Sequence, residues 1–175
     1  NIQSELEETW GYVVHDFEYH LKMIRQQARI LATSREIAAA FDQNHNDVLY
    51  QWGRKLINTG LVSRVSFVNS QGIVLARSHF ESRFNDIIED WDDLKPIKDG
   101  GAISHIRKEN DAWFFRSVVP VFQYDTVFKG AVMVEQAITL EFLNTMAVSF
   151  GLDRIAFQTK ETDRESKFNP GPGYI

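Results

Sequence analysis

The sequence predicts an α+β domain in which a long N-terminal helix packs on one face of an antiparallel sheet of five to six strands. Over roughly the first thirty residues, apolar side chains recur at intervals of three and four, the period of an amphipathic helix. From about residue 62 the period changes to two, β-branched residues become common and turn sequences recur, as in antiparallel strands. Strands adjacent in sequence usually pair, so a single sheet is favoured.

Within the first helix, four apolar residues recur every seven positions, which is the period of a coiled-coil seam. We therefore predict that this stripe is a dimer interface and that the protein forms a homodimer. The predicted interface residues are Trp10, Phe17, Ile24 and Leu31.

Two short helices are expected to follow the long one. Thr33 and Glu36 have the spacing of a capping box, in which each side chain satisfies a free backbone donor of the other. Asp47 is a suitable cap for a third helix, which is expected to end near Gly60. These helices complete a predicted N-terminal unit, residues 1–60.

The predicted sheet occupies residues 61–158 and is built from hairpins. The first hairpin turns at 69–72, where glycine stands last, and the second at 109–111. Between them, residues 79–99 contain a predicted helical turn and are expected to cover the sheet. A helix at 140–150 and a last strand at 155–157 follow, and 159–175 is predicted to be a polar linker or tail. The predicted strands are 64–69, 73–78, 102–107, 112–121, 127–136 and 155–157.

Composition excludes several classes of function. The chain has 24 acidic and 19 basic residues and a net charge of -5, so it lacks the excess positive charge that binds nucleic acid. It has no cysteine, which removes disulfides, thiolate nucleophiles and sulfur-ligated metals. No uninterrupted apolar run approaches about 18 residues, the length expected of a membrane-spanning helix.

The sequence also lacks the local patterns of common catalytic and metal-binding sites. No phosphate-binding glycine loop, nucleophile elbow or zinc-binding helix pair is present. His15 and His20 are five residues apart and diverge around the helix, whereas metal pairs need three or four. The acidic stretches at 42–47 and 89–93 are better explained as solvated segments. We therefore predict no metal, no cofactor and no enzymatic activity.

One stretch of sequence resembles a known family. Residues 67–79 form a strand, a short turn ending in Gly72 and a second strand that ends in Arg77-Ser78-His79, and an Arg-Phe-Asn-Asp step follows at 83–86. This order resembles the signature hairpin of extracytoplasmic Cache sensor domains, which are PAS-like. Residues 117–121 and 128–135 resemble the later strands of that family, so the likeness extends over about 60–158.

The Arg-Ser-His step is most similar to the double-Cache sensors of bacterial histidine kinases, diguanylate cyclases and chemoreceptors. The resemblance implies a small-molecule sensor in the periplasmic or extracellular part of an inner-membrane protein, tethered to the membrane in the full-length receptor. It also implies a pocket on the sheet face opposite the long helix, roofed by residues 79–99. The chain lacks the Arg-x-Trp-x-x-Tyr pattern of Cache domains that bind amino acids.

Within that implied pocket, arginine and histidine side chains are suitable donors for a small carboxylate, and aromatic side chains are suitable walls. A carboxylate inside the apolar fifth strand requires a partner, either an arginine such as Arg116 or Arg77 or a ligand amine or hydroxyl. Alternation along 113–116 leaves open which residues face the pocket. The predicted ligand-binding residues are Arg77, His79, Arg83, Trp91, Trp113, Phe115, Arg116, Tyr124 and Glu135.

Two other functions remain open from the sequence. A cytosolic PAS-type module would hold flavin or haem, and a ligand-free dimerisation domain would use its aromatic residues only as core.

Overall fold

The computed structural model describes residues 2–88, 90–92 and 94–157, which build a helix layer on one antiparallel sheet. The helices are α1 (Ile2–Ala32), α2 (Arg35–Gln43), α3 (Asn46–Asn58) and α4 (Leu140–Ser149), with a 3₁₀ helix at Lys95–Asp99. The strands are β1 (Arg64–Asn69), β2 (Val74–Arg77), β3 (Ile103–Glu109), β4 (Ala112–Gln123) and β5 (Val127–Ile138). The predicted tail, residues 159–175, lies outside the described residues.

Every strand pairing in the described sheet is antiparallel, and the order is β2-β1-β5-β4-β3. The predicted α+β, PAS-like architecture is thus confirmed, with five strands among the described residues. The sixth strand predicted at 155–157 is wrong, because these residues adopt no regular structure there. Phe157 instead stacks on Trp113, with ring centroids 4.9 Å apart, and packs against the core between the sheet and α1.

The side of the sheet covered by α1, called here the helix face, holds the main core. Phe17, Ile24 and Leu31 of α1 are only 1%, 3% and 5% exposed and belong to this core, with Trp10 half-buried at its edge. The predicted dimer interface is therefore wrong. A stripe with a helical period faces whatever apolar surface lies nearest, and here that surface is the chain's own sheet.

The other side of the sheet, called here the outer face, is covered in part by residues 90–92 and 94–99, which we call the cover. Trp91, Leu94 and Ile97 of the cover form a second apolar cluster with sheet residues that include Val118 and Met133. Residues 79–99 were predicted to contain a helical turn around 84–91. Of the described residues there, 84–88 contain a bend and an isolated antiparallel bridge between Ile87 and Ile73, and 90–92 form a turn. The helical turn lies later, at Lys95–Asp99.

Helix boundaries differ slightly from the predicted ones. Ser34 rather than Thr33 caps α2, accepting a bond from the Ile37 amide. Thr33 is still part of the end of α1, where its hydroxyl donates to the Arg29 carbonyl at 2.8 Å. His45 precedes α3 without a side-chain cap, so the cap predicted at Asp47 does not form.

The first hairpin turns as predicted. The Asn69 side-chain oxygen accepts bonds from the Gln71 and Ile73 amides, at 2.9 and 3.0 Å, and Gly72 has a φ of 85°. A Cβ on Gly72 would lie 2.5 Å from Cγ of Trp91, so a side chain there would displace the cover. Among the described residues, no helix combines the length and apolar character needed to cross a bilayer.

Candidate ligand site on the outer face of the sheet

Alternation along β4 sorts its residues between the two faces. Phe115 lies on the helix face, with its ring 5.3 Å from that of Phe17, and Trp113 packs against the same core. Phe114 and Arg116 therefore lie on the outer face. Trp113 and Phe115 were predicted to be ligand-binding residues, and both predictions are wrong because their side chains lie on the helix face, where Phe115 is fully buried and Trp113 is partly buried against the core.

Arg116 is the centre of a cluster of charges on the outer face. Its side chain is 1% exposed, and its Nη1 donates a short hydrogen bond to Oδ2 of Asp90 in the cover. Arg107 Nη1 lies 3.6 Å from the same Asp90 oxygen. Arg116 Nε and Arg64 Nη1 approach the two carboxylate oxygens of Glu135 at 3.7 and 3.6 Å. We call this group, completed by an ion pair between Arg64 and Glu109, the charge network.

The register of the sheet explains why these charges meet. Arg116 pairs with Glu135 across β4 and β5, and Glu135 pairs with Arg64 across β5 and β1, so all three side chains lie on one face. Of the two arginine partners predicted for Glu135, Arg116 is confirmed, and the second partner is Arg64 instead of Arg77.

The guanidinium of Arg116 is incompletely hydrogen-bonded despite its burial. Within the described structure, Arg116 Nε and Asp90 Oδ1 are buried and have no hydrogen-bond partner. Arg116 Nη2 contacts the sulfur of Met133 at 3.5 Å, and a thioether is a weak acceptor. A planar guanidinium can hold both oxygens of a carboxylate, yet among the described residues this one bonds to a single strong acceptor, an Asp90 oxygen. Arg116 therefore retains donors for a ligand oxygen.

Asp90 is ionised in this setting. Burial alone would raise the pKa of its carboxyl, but attraction to Arg116, the hydrogen bond from Arg116 and attraction to Arg107 together hold the pKa below its ordinary value. Among the described residues, the network thus contains three guanidinium groups, of Arg64, Arg107 and Arg116, and three carboxylates, of Asp90, Glu109 and Glu135. Its formal charge is balanced.

Arg77 and Arg83 are not part of this network. Arg77 forms a two-pronged pair with Asp86, at 2.5 and 2.7 Å, and also donates to the Arg83 carbonyl at 2.9 Å. The hydrogen bond from Arg77 holds the pKa of the Asp86 carboxyl below its ordinary value. The Arg83 side chain is exposed. The predicted role of these arginines as ligand donors is not supported, because one is already paired within the chain and the other points to solvent.

His79 lies at the edge of the network and is half-buried. Burial, then repulsion from Arg64, lowers its pKa from 6.5 to about 4. Its Nδ1 is buried and has no hydrogen-bond partner in the described part of the chain. At neutral pH the imidazole is uncharged, so it offers a ligand a hydrogen bond rather than a positive charge.

We expect His79 to make stability depend on pH. Because its folded pKa lies below the unfolded value of 6.5, its contribution is complete above pH 6.5 and is lost as the pH falls toward 4. Allowing for its partial exposure, the loss is about 1 to 2 kcal/mol. Urea unfolding at several pH values would measure it. His79→Gln should flatten the curve in this window, whereas the exposed His15→Gln should not; equal curves for the two variants would contradict the assignment.

The two remaining aromatic predictions have different outcomes. Trp91 is 6% exposed and packs with Leu94 and Ile97 in the second apolar cluster, called here the cover cluster. This cluster lies beside the charge network, so Trp91 is an apolar wall of the candidate site. Tyr124 is 84% exposed and lies in the turn between β4 and β5, with a φ of 53°. It has no place in a pocket on the outer face, and its prediction as a ligand-binding residue is wrong.

Five residues of the site were not predicted. Arg64 has its guanidinium 4.1 Å from the Phe114 ring centroid and forms an ion pair with Glu109. The full set is Arg64, Arg107, Glu109, Phe114 and Asp90. A signal for Arg107 exists in the alternation of β3, which places it on the same face as its partner Phe114. Asp90 lies in an acidic run that is typical of solvent-exposed chain, and only the fold reveals its partner.

Where the sequence predicts a pocket on the outer face, the cover packs against sheet residues and Asp90 pairs with Arg116. A separate open groove of about 480 Å³ lies on the other side of the molecule, between α1 and α4. Asp16, His20, Glu141, Phe142 and Phe150 are among its lining residues. None of the predicted ligand-binding residues lines this groove, and the network remains the candidate site.

Known proteins resemble this chain in structure rather than in sequence. No family model and no curated protein sequence matches the chain. Among solved structures, the E. coli DcuS sensor domain superposes with a TM-score of 0.63 at 14% identity, over 75% of this chain and 97% of that one. The V. cholerae histidine kinase DctB sensor domain gives 0.64 at 12% identity, over 86% of this chain and 58% of that one.

A domain of a sensory box/GGDEF family protein from Vibrio parahaemolyticus gives a TM-score of 0.58 at 12% identity, over 83% of this chain and 62% of that one. The chain thus spans nearly all of the DcuS domain and about three fifths of the other two. These matches agree in the arrangement of helices and sheet that the residues themselves explain. The chain therefore has the fold of the PAS-like, Cache-type extracytoplasmic sensor domains.

Proposed function

We propose that this chain is the ligand-sensing part of a bacterial membrane receptor, exposed in the periplasm or outside the cell, and that it binds a small carboxylate through Arg116. The observation that carries the proposal is the buried guanidinium with unused donors. Leaving such donors unpaired costs about 1 to 3 kcal/mol each, which a bound ligand would recover. The sensor-domain fold supports the same role.

The surroundings of Arg116 favour a small and polar ligand. Arg107 and Arg64 are two further guanidinium groups nearby, each paired with carboxylates of the network. His79 adds a neutral hydrogen-bonding group, and Trp91 and Phe114 provide apolar walls. Glu135 lies beside these donors and is suited to a hydroxyl or amine on the same ligand. A carboxylate that carries one further polar group fits this set best.

A path of hydrogen bonds supports transmission from the site to α1. Ser117, the residue after Arg116 in β4, shares a hydrogen bond with Ser104 of β3 at 3.0 Å. The Ser104 hydroxyl also accepts a bond from Nε of Arg25 in α1 at 2.8 Å. A change in β4 on ligand binding thereby reaches the helix that we propose to carry the signal toward the membrane. A ligand shifts the equilibrium between the resting and the signalling state of a receptor only by its difference in affinity for those two states.

We also propose that the receptor is a homodimer, with an interface on the solvent side of α1. Tyr12, Tyr19 and Ile30 are 55%, 53% and 64% exposed, and their spacings of 7 and 11 residues return each of them to the same side of the helix. This stripe lies opposite Phe17 and the core. Apolar side chains aligned on an exposed helix surface are typical of a contact with another chain.

The carboxylate proposal is tested by thermal unfolding in the presence of paired compounds, each small mono- or dicarboxylate matched with its primary amide. We expect one or more acids to raise Tm while the amide does not, because only the acid matches the guanidinium. A ligand at about 100 times its Kd would add about 2.7 kcal/mol of stability.

The matched variants are Arg116→Lys, which keeps the charge but loses the planar fork, and Arg83→Lys on the surface. We expect the first to lose the response to the acid and the second to retain it. The proposal fails if amides stabilise as well as acids, or if no acid in the panel has an effect. The absorbance spectrum of the purified protein distinguishes the alternative of a PAS module that holds flavin or haem.

A further inference from the structure

Asp90 differs from the other two acids of the charge network in where it is attached. Glu109 is the last residue of β3, and Glu135 lies within β5, so both are fixed by the hydrogen bonds of the sheet. Asp90 belongs to the cover, in a region of turns that precedes the 3₁₀ helix. It is therefore the one carboxylate of the network that is able to leave Arg116 without disrupting a strand.

The charge balance of the network limits how an anionic ligand enters. Three guanidinium groups already face three carboxylates, and Arg116 and Asp90 are both largely removed from solvent, with side chains 1% and 15% exposed. A further carboxylate added beside Asp90 would be a buried charge without a counter-charge, which costs several kcal/mol. Exchange of one carboxylate for another avoids this cost.

We propose that Asp90 is an internal substitute for the ligand carboxylate, holding Arg116 in the unliganded protein and giving way to the ligand. This inference rests on the proposed function and adds the residue that determines how high the ligand concentration must be for the ligand to occupy Arg116. Asp90 makes only a single strong hydrogen bond to Arg116 and leaves its own Oδ1 without a partner in the described structure. A free carboxylate that grips two donors is a better partner than this tethered one.

The neighbours of Asp90 explain how it is held. Trp91, the next residue, is enclosed in the cover cluster and lies against Gly72 of the first hairpin. The Trp91 amide donates to the Ile88 carbonyl at 3.2 Å, and the Ile88 amide donates to the Gly72 carbonyl at 3.0 Å. A carboxylate tethered in this way acts at an effective concentration in the millimolar range or above, so it competes with any dilute ligand.

The first experiment removes the internal carboxylate and replaces it from solution. Asp90→Ala should lower Tm, and formate should restore it in a concentration-dependent manner when ionic strength is kept constant with chloride. Asp92→Ala is the matched control, because Asp92 lies two residues away in the cover with its side chain 84% exposed. Wild type and Asp92→Ala should show no specific response to formate. An equal response of Asp90→Ala and Asp92→Ala would overturn the inference.

A second variant keeps the experiment decisive if Asp90→Ala does not fold. Asp90→Asn preserves the shape and one hydrogen-bond acceptor but removes the charge, so any acid that stabilises the wild type should bind it about tenfold more tightly or better. Unchanged affinity would contradict the inference. If formate restores the Tm of Asp90→Ala but no acid stabilises the wild type, the role of Asp90 is supported and the proposed function is rejected. The failure of one proposal is therefore distinguishable from the failure of the other.

Discussion

Replacing Arg116 with methionine is expected to lower the free energy of unfolding by about 3 to 5 kcal/mol, the cost of removing one partner from a buried ion pair. Methionine approximates the length of the arginine stem, so the loss comes mainly from charge rather than from a cavity. Asp90 would still have Arg107 at 3.6 Å, and Glu135 would still have Arg64 at 3.6 Å. Both carboxylates would lose Arg116, the partner that they share. Urea unfolding at neutral pH measures the effect.

Arg83→Met is the matched control for this prediction, since it makes the same substitution at an exposed position. Its effect should stay within about 0.5 kcal/mol. A double variant, Arg116→Met with Asp90→Asn, should be less destabilised than the sum of the two single changes. The reason is that Asp90→Asn removes the charge of the carboxylate that Arg116→Met deprives of its hydrogen-bonded partner. Strict additivity would mean that the ion pair contributes nothing to the folded state.

The architecture was predictable because it depends on periods that are local in sequence. The change from a period of three and four to a period of two marks where helices end and strands begin, and Asn69 to Gly72 specify a tight turn by their own chemistry. The failures at Thr33 and Asp47 are displacements of a helix cap by one or two positions. The neighbouring Ser34 caps α2 instead of Thr33, and α3 begins after His45 without any side-chain cap.

The site was only partly predictable because it depends on pairings distant in sequence. Alternation shows that Phe115 and Arg116 point to opposite sides of β4, but the position of α1 decides which side is enclosed. Arg116 meets Glu135 through strand register, and it meets Asp90 through a cover without regular structure. No pattern that is local in sequence predicts either contact.

The same ambiguity produced the wrong dimer interface. A heptad stripe and a stripe that packs on a sheet are similar over the roughly six turns from Trp10 to Leu31, since both follow the helical period. The outward stripe is shorter and interrupted by polar residues, so it is weaker as a sequence signal. Fractional exposure separates the two, with Phe17 at 1% and Tyr19 at 53%.

Two alanine substitutions, two residues apart on α1, should therefore have opposite consequences. Phe17→Ala is expected to lower the free energy of unfolding by about 3 to 5 kcal/mol, because it removes a buried ring. That ring lies 5.3 Å from Phe115 and 5.5 Å from Phe157, so a cavity would open between α1 and the sheet. The affinity between subunits should change little, since Phe17 points away from the proposed interface.

Tyr19→Ala should have the reverse effect. Its exposed ring contributes little to the folded subunit, so stability at concentrations where the protein is monomeric should change by less than about 0.5 kcal/mol. Sedimentation equilibrium should show a weaker dimer, by about tenfold or more if Tyr19 is central to the interface. A dimer weakened by Phe17→Ala but unaffected by Tyr19→Ala would reject the solvent-side interface. Because both substitutions remove an aromatic ring from the same helix, the contrast depends on the direction of the side chain and not on helix propensity.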